Sequence, residues 1–181
     1  MDPLGWLVVL LVLALLAWYL SFSASRIDRL HHRVEGARSA LDAQLVRRAE
    51  AALELVTSGA LDPATGLLVA GAAAGALDAG ESAGEPGRET AESDLSRALQ
   101  LALDSDLVIG LRDDAVAAAL LERLRASCHR VQLARRFHND AVTDASRVRA
   151  KPIARWARLA GRARTPQTFE MDDEPPLALV R

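Results

Sequence analysis

The sequence predicts an all-α protein: an N-terminal transmembrane helix followed by an antiparallel four-helix bundle with two long and two shorter helices. Half of its 181 residues are hydrophobic but only 4% are aromatic, and alanine and leucine dominate. That composition favours helices over a sheet core built from β-branched and aromatic side chains. From Leu4 to Leu20 there is no charge and no proline. Beyond that run, apolar residues recur in steps of three and four, the period of one helix face. The expected divisions are an anchor over 1–25, a bundle over 26–149, a basic amphipathic helix over 150–164 and an acidic disordered tail over 165–181.

The anchor comes first. Ser21 and Phe22 extend the uncharged run to 19 residues, about 28 Å of helix at ~1.5 Å per residue, enough to cross a bilayer. Trp6 marks one end and Trp18 with Tyr19 the other, at the depth where amphipathic rings favour headgroups. A cleaved secretory signal is the rival reading, with cleavage near Ser23. The residues ahead of the run, Met1, Asp2 and Pro3, lack the positive charge that such a signal carries. Arg26, Arg29, Arg33 and Arg38 follow the run, so the positive-inside rule places the N-terminus outside and the bundle in the cytoplasm, at the cell membrane.

The first bundle helix is marked by Ile27, Leu30, Val34, Ala37, Leu41, Leu45, Ala49, Leu53 and Val56 on one face. Gly59 stops it, and Asp62 with Pro63 reads as the N-cap and first-turn proline of a second helix ending near Ala79. Gly71 and Gly75 inside that helix have the spacing of close helix packing. Residues 80–89 hold three glycines and a proline and read as a loop. A third helix is expected over 90–103. Asp104, Asp106, Asp113 and Asp114 flank the next turn, where helix capping explains them better than a metal, since no calcium-loop spacing is present. The fourth helix is expected over 111–149, with Leu120, Leu124, Val131, Ala134, Ala141, Ala145 and Val148 inside and His138 on the same seam.

Catalytic chemistry finds no foothold in these residues. P-loop, H-E-x-x-H and G-x-S-x-G patterns are missing from the sequence. Cys128 is the only cysteine, which rules out an intrachain disulfide. His31 and His32 diverge by ~100° on a helix, and His129 and His138 fall on nearly opposite faces, so no three ligands converge. No catalytic residue, metal, cofactor or small-molecule substrate is expected. An enzyme with an unrecognised site in the bundle remains the alternative class.

Two of these helices carry a resemblance. Leu41-Asp42-Ala43-Gln44-Leu45-Val46-Arg47-Arg48 is similar to the I-D-V-Q-L-K-R-R segment of the LemA family of bacterial membrane proteins, with Glu54-Leu55-Val56 where its N-L-V follows. Arg130 to Val142, R-V-Q-L-A-R-R-F-H-N-D-A-V, resembles that family's R-I-x-x-A-R-x-x-Y-N-x-A-V. Pro152 and the Phe169-Glu170 pair echo its closing segment. Cys128 stands where an acid is usual, His138 where tyrosine is usual, and Ala145-Ser146 where Y-N is expected. The resemblance implies a single-pass protein with an antiparallel four-helix bundle, and it brings no catalytic residues.

Equal lengths of about 55 and 58 Å for the first and fourth helices, at ~1.5 Å per residue, let them run out and back. This pairing places Asp42 opposite Arg130 and predicts a salt bridge that fixes register. It also leaves Ile27, Leu30, Val34 and Val148 exposed, a stripe for a homo-oligomer or a membrane protein partner to cover. Acids and bases segregate: residues 60–122 carry twelve acids against three arginines, and 123–164 carry twelve Arg or Lys against two acids. As a helix, 150–164 sets Ile153, Trp156 and Ala160 on one side and Lys151, Arg155, Arg158 and Arg162 on the other. Lys151, Arg155, Trp156, Arg158 and Arg162 are therefore the candidate contacts to an anionic bilayer surface; packing of the apolar side on the bundle is the alternative. Nucleic acid is a poorer anion for them, because stacking aromatics do not interleave the arginines. The tail, with three prolines and four acids within 170–174, is expected to be disordered. The resulting expectation is a non-enzymatic, membrane-anchored helical scaffold or interaction module.

Overall fold

The computed structural model describes residues 3–81, 87–150 and 165–180, and every regular element among them is helical. They are α1 (Pro3–Thr57), α2 (Pro63–Glu81), α3 (Arg88–Ala102), α4 (Ser105–Leu111), α5 (Ala115–Arg149) and a last turn, α6 (Leu177–Val180). The helix ends follow from local chemistry. Ser58 and Gly59 close α1, with Gly59 at φ 75°, a left-handed conformation that glycine adopts without a Cβ clash. Asp62 Oδ1 accepts from the amides of Ala64 and Thr65 at 3.0 and 3.2 Å, capping α2 ahead of its first-turn proline.

The fourth helix expected over 111–149 is α5, starting at Ala115, and a short helix not expected, α4, occupies the stretch read as a turn before it. Asp104 accepts from Leu107 N at 2.8 Å and so starts α4. Asp114 accepts from Val116 N and Ala117 N at 2.7 and 3.2 Å and restarts the chain as α5. Two of the four clustered aspartates are thus helix caps, and no metal-ligating group forms among the described residues.

The chain divides into two compact units, Met1–Ala37 with Asn139–Thr168, and Arg38–His138 with Phe169–Arg181. In the first unit, Val34 is buried against Ala141, Val142 and Ala145, with Leu30 and Ala37 packed alongside. Arg33 pairs with Asp144 at 3.4 Å, and His31 Nε2 lies 2.9 Å from Arg149. The stripe expected to lie bare is therefore covered at Val34, because the small alanines of α5 let the two helices approach closely. Within α1, the uncharged residues from Gly5 to Tyr19 are helical and largely exposed, with Trp18 and Phe22 in ring contact at 6.4 Å. Among the described residues no helix is long and apolar enough to cross a membrane. Leu4 and Leu20, the ends of the uncharged run, have side chains outside the described ones.

In the second unit the main core joins Ala52, Leu55, Val69, Ala73, Leu95, Leu99 and Leu124. A smaller cluster of Leu41, Leu45, Val131 and Phe169 lies apart from it. The α1 positions Leu41, Leu45 and Ala49 and the α5 positions Leu124 and Val131 are buried as their spacing predicts. The register differs from expectation. Glu54 pairs with Arg123 at 2.8 Å, and in an antiparallel pair the twelve-residue step back to Asp42 lands on Arg135. The expected Asp42–Arg130 bridge is absent: Asp42 lies 3.1 Å from both Arg38 and Arg88, and Arg130 is exposed. The slip is a little over one helical turn, which lengths counted from uncertain helix ends do not resolve.

Gly71 and Gly75 are also not where their spacing suggests. Both are exposed, and a Cβ built on either meets nothing within 4 Å; α2 packs instead through Val69, Ala73 and Ala76. Gly71→Ala and Gly75→Ala are each expected to stabilise the fold by about 0.5–1 kcal/mol, because alanine lowers the entropy of the unfolded chain without a clash. Denaturant midpoints check this; a loss in either variant would mean that the glycine is a packing contact.

Candidate functional site: a buried polar core that clasps the C-terminal segment

The most organised chemistry of the second unit is a polar core where α1, α3 and the segment after Thr168 meet. Arg48 and Glu92 are 2% and 1% exposed. Arg48 Nη2 donates to the Glu92 carboxylate at 2.7 Å and to the Glu92 carbonyl at 2.9 Å, and Nη1 donates to Ser96 Oγ at 2.8 Å. Glu92 and Ser96 are one turn apart on α3, so a single guanidinium fork reaches both. Burial pushes the Glu92 carboxyl above the usual carboxylate range, against the opposing pull of Arg48 and Arg88. Desolvation thus outweighs the Coulomb attraction within this pair.

Ser96, with Ser93 one turn before it, also holds the C-terminal segment. Ser96 Oγ donates to the Asp172 carbonyl at 2.6 Å, and Ser93 Oγ accepts from Asp172 N at 3.0 Å. Glu89 accepts from Glu170 N at 2.8 Å, and Gln100 donates to the Glu174 carbonyl at 2.8 Å. On α5, Gln132 donates to the Asp173 carbonyl at 3.0 Å, and Arg135 grips the Asp173 carboxylate with two bonds of 2.7 and 3.1 Å. Residues spaced three and four apart on α3 therefore meet backbone groups of every second residue of the segment, 170, 172 and 174. Apolar anchors flank the polar stretch. Phe169 is buried with Leu41, Leu45 and Val131 and lies 4.7 Å under the Arg38 guanidinium, while Ala178 and Leu179 join the main core.

This arrangement overturns the expectation of a disordered tail. Composition favoured disorder, but the acids of 170–174 are interleaved with peptide groups that the helices satisfy, and Phe169 and Leu179 supply buried area at each end. The signal available in the sequence was the pair of apolar ends around the acidic run, together with Ser93, Ser96 and Gln100 on one face of α3.

Other residues singled out in the sequence behave separately. Cys128 is buried, and burial pushes its thiol up, away from the reactive thiolate. His138 is buried, His129 is exposed, and His32 lies 3.3 Å from Glu35. Lys151, Arg155, Trp156, Arg158 and Arg162, the candidate bilayer contacts, lie outside the described residues. Geometrically the polar core is a clasp: its donors end on peptide carbonyls and carboxylates of the chain itself. Beside it runs a groove of about 450 Å³, lined by Arg125, His129, Gln132, Leu177, Leu179 and Val180 among others. Set against known protein families, curated proteins and solved structures, the chain matches none.

Proposed function

We propose that this chain is a non-enzymatic, single-pass membrane protein whose helices form an anchored four-helix interaction module. The observation that carries the reading is the first part of α1. Trp6, Leu7, Leu10, Leu11, Trp18 and Phe22 are all more than half exposed on the uncharged stretch of α1. Apolar area left in water costs about 25 cal/mol per Å², so a helix that is apolar all round calls for lipid or protein around it. Lipid fits the run as a whole, with tryptophans near both ends and arginines directly after it. In this reading the N-terminus faces outward, the arginine flank and the bundle stay in the cytoplasm, and the basic residues of 151–162 rest on the inner leaflet. The likeness to the LemA family supports the same arrangement. Among the described residues, the polar side chains of the buried core bond to the chain itself, which suits a scaffold that presents surfaces.

Washing membranes that contain the full chain with alkaline carbonate tests the anchor. The protein is expected to stay in the pellet, and a chain lacking residues 1–25 to move to the supernatant. Release of the full chain by carbonate would overturn the reading.

A further inference from the structure

We infer that the outward face of α5 from His129 to Phe137, with the groove beside it, docks an acidic amphipathic helix of a partner protein. The inference rests on the interaction-module reading and names one surface of it. On α5, positions 129, 130, 133, 136 and 137 fall within an arc of about 120° at ~100° per residue. All five are exposed, with Phe137 at 61% and Leu133 at 38%. Arg130 and Arg136 pair with no acid among the described residues. Their neighbour Arg135 is consumed by Asp173 on the adjacent flank. The face thus offers two apolar anchors between two unspent guanidiniums.

His129 joins this face to the groove of about 450 Å³, where Leu177 and Val180 of α6 stand exposed. From the level of Arg125 to Phe137 the surface runs about 18 Å at ~1.5 Å per residue, three turns of a docked helix. Leucine-like side chains at helical spacing fill the groove and cover Leu133 and Phe137, as in helix-in-groove recognition. Glutamates or aspartates flanking that row meet Arg130 and Arg136, and the structure already shows how α5 receives a carboxylate, in the two-bond grip of Arg135 on Asp173. A bilayer presents a flat surface that does not enter a groove, so a protein segment suits this site better than lipid.

The test uses the full chain in nanodiscs of neutral phosphatidylcholine. A fluorescein-labelled helical peptide of about four turns, with leucines on one face and glutamates flanking them, is titrated beside the same peptide carrying lysines. The glutamate peptide is expected to bind at least about tenfold more tightly than the lysine peptide at low salt. Arg130→Glu with Arg136→Glu is expected to reverse that preference, and Phe137→Ser to weaken the glutamate peptide about fivefold while keeping the preference. These positions are exposed, and circular dichroism of each variant is the check that it folds. Equal binding of the two peptides, or binding that ignores the arginine reversals, overturns the inference. So does self-association of nanodiscs, or clustering of phosphatidylserine vesicles, that disappears in the arginine variant without glutamate-peptide binding. The carbonate wash is read separately, so failure of this face and failure of the anchor are distinguishable.

Discussion

Arg48→Met is expected to cost about 3–5 kcal/mol of folding stability, the penalty for stranding a buried charge without its partner. Glu92 is 1% exposed, and without the Arg48 guanidinium its carboxylate keeps only the weaker Coulomb pull of Arg88. Glu92→Leu strands Arg48 by the same argument and is expected to fall in the same range. The double variant Arg48→Met with Glu92→Leu is expected to recover most of either loss, because it removes both desolvation costs together with the attraction between the charges. Ser96 keeps its bond to the Asp172 carbonyl in all three variants, so the clasp on the C-terminal segment is not broken by the exchange. Denaturant midpoints across the four proteins give the coupling energy directly. A double variant as unstable as the sum of the singles would show that the pair is not a charge-compensation device.

The pH dependence follows from the same burial. The native-state Glu92 carboxyl sits above its unfolded value, so the folded chain holds that proton more tightly than the unfolded chain. Its favourable contribution is complete below the unfolded carboxylate pKa and fades as pH rises through the native value. Removing Arg48 withdraws the main opposing influence and raises the carboxyl further. The Arg48→Met penalty is therefore expected to be smaller at pH 5 than at pH 8, where burying the stranded group as an anion or protonating it both cost more.

What could be read from the residues was local. Gly59, Asp62 and Asp114 act at helix ends through atoms two or three residues away, and the apolar stripes of α1 and α5 repeat at a period that any register preserves. Register itself is nonlocal. Nothing near Asp42 distinguishes Arg130 from Arg135, and the choice is made by Glu54 with Arg123 and by the packing of Leu41 and Leu45 on Val131. The polar core is harder still, since Arg48 and Glu92 are 44 positions apart and each alone looks like an ordinary surface charge. The seven-residue α4 leaves no such mark, because about two turns between longer helices hold too few residues to establish a periodicity.

Phe169→Ala is expected to cost about 3–5 kcal/mol, and the loss is expected to appear first as release of the C-terminal segment. The ring is 2% exposed and touches the cluster of Leu41, Leu45 and Val131. Alanine leaves a cavity there and also removes the face over which Arg38 sits at 4.7 Å, a contact worth about 0.5–2 kcal/mol by itself. The bonds that follow, from Glu170 to Glu174, are mostly single hydrogen bonds of about 0.5–1.5 kcal/mol net each. They hold the segment only while its apolar ends are seated. Leu177→Ala serves as the control, because Leu177 is largely exposed and its loss is expected to change stability by less than about 0.5 kcal/mol. Amide exchange separates the outcomes. In Phe169→Ala the amides of Glu170 and Asp172 are expected to lose protection well before those of α3, whereas in Leu177→Ala they are expected to keep it. If the amide of Asp172 stayed protected in Phe169→Ala, the polar clasp alone would be holding the segment, and the apolar anchors would have to be reassigned to a minor role.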